Sequence, residues 1–177
     1  GFGLSFAVKS MYTALQDFSY NASSETDANV FANSVSNVTQ TLNRLSNALT
    51  DSANQYKEEI RIKTDDVNSI LVDISKLNDS IRRSMNTVNY NTDFGPNELK
   101  DQRNLLIDKL SEYGKVEVEE QTDGTLTVKM NGHKCVWDAE CDAINYQENT
   151  NSTIQLNWKS NGENAAKDVG IFKAAVD

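Results

Sequence analysis

The chain has 177 residues, of which Leu, Ile, Val and Phe make up 41 and Asn, Ser and Thr make up 50, enough for a core beneath a polar and largely uncharged surface. Seventeen Lys and Arg against 26 Asp and Glu leave a net charge of −9. No basic run offers a phosphate-binding stripe and no apolar run approaches the ~18 residues of a membrane span, so nucleic acid and membrane are poor partners. One His and two Cys leave few side chains for nucleophilic or metal chemistry, which disfavours an enzyme and implies no cofactor.

Composition shifts once along the chain. Residues 1–113 carry Gly only at 1, 3 and 95, whereas 114–177 hold five of the eight Gly and most of the short alternating patterns. Two domains are expected: a helical domain at 1–113 and a β-rich domain at 114–177. The fold class is α+β, with antiparallel helices around one long helical rod followed by a small antiparallel meander.

Leu4, Val8, Met11, Leu15 and Phe18 recur at helical spacing and predict a first helix with that apolar face. Ser24 with Asp27 three residues on resembles a capping box and starts a second helix near residue 25. Its apolar positions run through Val38, Leu42, Leu45, Leu49 and Tyr56. They then settle into heptads, one position reading Ile60, Val67, Ile74, Ile81 and Val88 and its partner Lys63, Ile70, Leu77 and Ser84. Ser52, Tyr56 and Ile60 are joined by two steps of four, an offset that relaxes a supercoil without ending the helix. With no Pro or Gly from 25 to 88, one helix of about 60 residues is expected, some 90 Å at ~1.5 Å per residue. Two helices meeting near Thr50 to Tyr56 are the alternative.

Asn89 to Gly95 reads as a loop, Pro96 as a first-turn proline, and Leu99, Leu106, Ile107 and Leu110 as the face of a third helix over 96–113. Gly114 is expected to cap it in the left-handed conformation. The period then drops to two in Val116, Val118, Leu126, Val128, Met130, Cys135 and Trp137. Asp123-Gly124 and Asn131-Gly132 favour hairpin turns between these runs, which makes a three-stranded meander. Its buried face should carry Val116, Val118, Leu126, Val128 and Met130. Ala143 to Gln147 and Thr153 to Trp158 add two further strands, and Asn161-Gly162 another turn.

The chemical motifs are weak. His133, Cys135 and Cys141 lack the close Cys pair of structural zinc sites. The reading preferred is a core-facing Cys135 and a surface His133, with a Cys135–Cys141 disulfide left open. Glu58-Glu59 and Asp65-Asp66 lie on a solvated helix side, and Glu117, Glu119, Glu120 and Asp123 form an acidic hairpin. Four Asn-x-Ser/Thr sequences, at Asn21, Asn37, Asn78 and Asn151, are no more than composition supplies.

One stretch is more specific. Leu99 with Asp101, Gln102 and Arg103, Leu106 at helical spacing, Gly114 ending the helix, and Val116-x-Val118 entering a turn at Gly124 together resemble the central part of the bacterial flagellar hook-associated protein 1 family. The likeness to these hook-filament junction proteins extends from about residue 12 to 137. Asn104 stands where that family usually has an acidic residue, and Asn21-Ala22 where it has Asn-Pro. The resemblance implies an extracellular, non-enzymatic flagellar subunit, with neighbouring hook and filament junction proteins and copies of itself as partners. It also implies that Asp101 and Arg103 hold the third helix against the long helix and hairpin. The family's terminal helices are not matched, so the chain is expected to be a middle piece with Gly1 as a cloning remnant, monomeric alone, with the seam around Tyr56 to Val67 bare. The stalk and tip of a secreted or surface-anchored bacterial adhesin is the competing reading.

Overall fold

The computed structural model describes residues 3–86, 97–150 and 153–166. The expectations for Val88, the 89–95 loop, Pro96 and Asn151 fall outside them. Three helices, α1 (Leu4–Tyr20), α2 (Glu25–Asn86) and α3 (Asn97–Ser111), precede six strands: β1 (Val116–Glu120), β2 (Leu126–Met130), β3 (His133–Trp137), β4 (Glu140–Cys141), β5 (Ile144–Glu148) and β6 (Ile154–Trp158). β1 to β4 form an antiparallel sheet in chain order, and β5 pairs with β6 in a second. The chain divides into two compact units, Gly1–Gln55 and Tyr56–Asp177, whereas the change from helix to strand falls near 113/114. No helix among the described residues is long and apolar enough to cross a membrane.

In the first unit, α2 opens as its sequence suggests. Ser24 Oγ accepts the Asp27 N–H at 3.2 Å. The reciprocal half of the box is missing, because the Asp27 carboxylate takes the Asn21 amide instead. The α1 face is turned from the expected one. Ala7 and Ala14 are buried and Leu4, Met11 and Phe18 half-buried, while Val8 and Leu15 are exposed. The inward row therefore reads Leu4, Ala7, Met11, Ala14 and Phe18, and Phe18 stacks on Phe31 with ring centroids 6.2 Å apart. Leu42, Leu45 and Leu49 carry heptad spacing but are exposed.

α2 is unbroken through 50–56, against the two-helix alternative. Its low-propensity hydroxyls bond back along the helix, Thr39 to the Val35 carbonyl and Thr50 to that of Ser46, so they do not draw the backbone elsewhere.

In the second unit the helical and strand segments share one core, built from Ile60, Val67, Leu71 and Ile74 of α2, Leu110 of α3, and strand residues including Val128, Met130 and Leu156. Ile60, Val67, Ile74 and Ile81 are buried as expected. The second buried row is Thr64, Leu71 and Asn78, not Lys63, Ile70 and Leu77. Sheet and α3 approach this helix from the side four residues on, so two polar residues enter the interior. The seam positions Ile60, Thr64 and Val67 are therefore covered rather than bare, while Tyr56 before them is exposed.

The meander has four strands, one more than expected. Asp138, at φ 47°, makes the two-residue turn that returns the chain into β4. Asn131 and Gly132, at φ 54° and 83°, form the tight turn between β2 and β3. A bulge after Val128 lets Cys135 and Val136 both face inward, with the Cys135 thiol against the Val128 carbonyl. Burial pushes that thiol's pKa up to about 12, and both cysteines are free. Val118 pairs with Val128 yet remains 51% exposed, because β1 is the sheet's edge and little packs over its far end.

His133 is half-buried rather than a free surface side chain. Its ring stacks on Trp158 at 4.3 Å and its Nε2 lies 2.8 Å from Asp142 Oδ2. Asp142 also accepts the backbone N–H groups of Ala143 and Ser160 and the Ser160 hydroxyl, tying the second sheet to the first. Burial alone would raise this carboxyl's pKa, but Ser160 and His133 hold it below the ordinary value. A lowered native pKa means the contribution to stability is complete above the unfolded value near ~3.9 and disappears as pH falls through the native value. Asp142→Asn should therefore show less acid-induced loss of stability below about pH 4 than the parent chain, read as urea midpoints from about pH 7 down to about pH 3. Parallel curves for the two proteins would remove Asp142 as a source of acid sensitivity.

Candidate functional site

The buried polar groups converge on one joint, where α2, α3, the β1–β2 turn and the β3–β4 turn meet. At its centre Asn78 of α2 is 0% exposed. Its Oδ1 accepts from the Leu126 N–H at 3.0 Å and from Arg103 Nη1 at 2.8 Å. Its Nδ2 donates to the carbonyls of Leu126 and Asp138, both at 2.8 Å. The amide thus imitates a neighbouring strand, satisfying both backbone groups of the residue that begins β2.

Asn68, ten positions earlier, does the same for β5. It donates to the Ile144 carbonyl at 2.9 Å and accepts the Ile144 N–H at 2.7 Å. Two asparagines on one helix therefore set where two strands start. A hydropathy pattern scores both as surface residues, and the available signal was Asn78 four residues after Ile74 in the buried row.

Arg103 enters the joint from α3, 2% exposed, and donates from Nη1 to Asn78 and to the Gly124 carbonyl at 2.8 Å. Its Nε is buried without a partner. Burial lowers the guanidinium pKa, countered by the nearby charge of Glu120. Glu120 itself pairs with Lys100 at 2.9 Å, a second tie from α3 to β1. Asp101 does not share the clamp expected of it. Asp101 and Gln102 are exposed, and neither side chain bonds to another described residue, because Arg103 occupies the inward helix position two residues on. Leu99 and Leu106 are half-buried, with Leu106 packed on the core. Asn104 is exposed.

The two glycines act differently. Gly114 is not in the left-handed conformation expected of a cap. It is needed for close approach, since a Cβ there would lie 2.9 Å from both Met130 Cε and Asn131 Oδ1. Asn131 Oδ1 in turn accepts the Lys115 N–H at 3.0 Å. Gly124 does require positive φ, at 80°. In its turn Asp123 Oδ1 accepts the Thr125 N–H and hydroxyl, bonds that hold the Asp123 pKa below its usual value. A Cβ on Gly124 would overlap Met85 Sδ and come to 3.1 Å of Ile81 Cγ2.

Gly124→Ala is expected to cost about 1–2 kcal/mol from backbone strain alone, plus the displacement of Met85. Adding Met85→Ala should relieve the steric part and leave the strain. Full recovery in that double variant, measured by thermal unfolding, would show that the positive φ is not what demands glycine.

These groups position elements. Among the described residues no three His, Cys, Asp or Glu side chains gather as metal ligands. Glu58 and Glu59 pair with Arg61 and Lys63, and Asp65 also with Arg61, so the doubled carboxylates belong to solvated helix pairs.

Comparison with known proteins places this arrangement. Residues 1–175 match the family described as the flagellar hook-associated protein FlgK helical domain. The flagellar hook-associated protein 1 of Bacillus subtilis (strain 168) is 34% identical over 122 residues, 69% of this chain and 23% of that protein. The solved flagellar hook junction protein FlgK from Burkholderia pseudomallei superposes with a TM-score of 0.59 at 18% identity, covering 93% of this chain and 29% of that one. The chain thus spans about a quarter of the length of these relatives.

Proposed function

The chain belongs to the flagellar hook-associated protein FlgK family through that family's helical domain, and on this basis we propose that it is a non-enzymatic structural segment of the junction between hook and filament. The family match over residues 1–175 carries the reading. The joint at Asn78 and Arg103 supports it, since it spends its buried polar groups on fixing strands to a helix. The proposed location is the extracellular flagellum, and the proposed partners are neighbouring hook and filament junction proteins and further copies of the parent chain. Residues 1–113 and 114–177 serve as its helical and β-rich portions, with Leu99, Arg103, Leu106, Gly114 and Gly124 holding them together.

Two measurements test this. Cells whose parent gene lacks residues 1–177 should carry hooks without filaments and release filament protein into the medium; normal filaments on such cells would overturn the assignment. The 177-residue chain alone, with its charge of −9, should sediment at its 19.7 kDa monomer mass at micromolar concentration. A dimer that survives dilution would move assembly into this segment.

A further inference from the structure

Both tryptophans and the single histidine of the chain line one basin. It has a volume of about 910 Å³ and lies wholly within the second unit, between the β2–β3 turn, the end of β6 and the loop that follows. That volume suits a small-molecule site, which ordinarily falls in the range of about 300–1,000 Å³.

The basin's walls are held before any ligand arrives. His133 lies flat on Trp158 at 4.3 Å and is pinned at its edge by Asp142, itself 6% exposed and bonded to Ser160 and Ala143. Trp137 carries the Lys134 ammonium 5.0 Å from its ring centroid. On the opposite rim the Glu163 carbonyl accepts the Trp158 N–H at 2.9 Å, and Asn164 Oδ1 accepts the Ala166 N–H at 2.8 Å. The backbone beneath both rim side chains is thereby anchored.

The chemistry of the lining selects a ligand class. Lys134 and Glu163 are its two full charges and cancel, so nothing there neutralises a phosphate or sulfate. A wholly apolar ligand would strip water from the exposed Glu163 and Asn164 side chains without replacing those hydrogen bonds. The half-exposed Trp137 ring, with the exposed Asn164 amide and Glu163 carboxylate on the same lining, instead matches a ring with C–H faces and hydroxyl edges. We propose that this basin is a binding site for a neutral saccharide.

The two tryptophans supply the probe. Intrinsic fluorescence and saturation-transfer NMR of the 177-residue chain would be followed against methyl glycosides of glucose, galactose, mannose and N-acetylglucosamine, and against their disaccharides. At least one should bind saturably with a millimolar dissociation constant. Glu163→Gln and Asn164→Ala are surface changes whose folding is checked by circular dichroism. Each should weaken binding about five- to tenfold, the worth of one hydrogen bond. Trp137→Ala should reduce the saturation transfer to the sugar C–H protons. Absence of saturable binding by every sugar, equal binding by the rim variants, or tighter binding of inorganic phosphate than of any sugar would each overturn the site.

Discussion

Asn78→Leu is expected to destabilise the second unit by about 3–5 kcal/mol, although leucine is nearly isosteric and more apolar. The substitution strands the Leu126 N–H and the carbonyls of Leu126 and Asp138, each bonded to the Asn78 amide. It also leaves the Arg103 guanidinium with Gly124 as its remaining bonded carbonyl. A buried group deprived of its partner loses about 1–3 kcal/mol, and a buried charge more. Asn78→Asp keeps both acceptor bonds but sets its second oxygen against the Leu126 and Asp138 carbonyls, so that oxygen should bind a proton. The loss should be smaller than for leucine at low pH and grow as pH rises. Urea denaturation of the three proteins would show the order. A loss below about 1 kcal/mol for Asn78→Leu would mean that the joint carries no net stabilisation.

Val128→Asp should be the other severe change, because Val128 is 0% exposed at the centre of the shared core. A carboxylate there has no partner and should cost at least about 4 kcal/mol or bind a proton to avoid it. One residue earlier, Thr127 is half-exposed and stands across from Glu119. Thr127→Asp therefore meets water and one like charge, for a cost within about 1 kcal/mol. The pair distinguishes the two faces of β2, and equal losses would put its register wrong by one residue.

Features governed by neighbours in the chain could be read directly from the sequence. The uninterrupted α2, the Ser24 cap, the alternation of β2 and the glycine turns at 124 and 132 all follow from spacing, propensity and backbone sterics. One heptad row, Ile60, Val67, Ile74 and Ile81, was legible for the same reason. So was the inward placing of Cys135. Arg103 could be singled out only through resemblance, since nothing local distinguishes an arginine that will be buried from one that pairs in water.

What depends on the direction of approach was decided by tertiary structure. Thr64 and Asn78 are interior because sheet and α3 cover that side of α2, whereas Leu42, Leu45 and Leu49 have equally good spacing and no cover. Val8 and Leu15 lose the α1 interface to Ala7 and Ala14, and Val118 is exposed because β1 ends the sheet. Asn68 and Asn78 pair with backbone 76 and 48 residues further along the chain, and Asp142 gathers His133 and Ser160 from either side. Composition and periodicity state only that a side chain is able to be buried or bonded. Whether it is depends on which distant surface removes its water, and that is fixed by the fold.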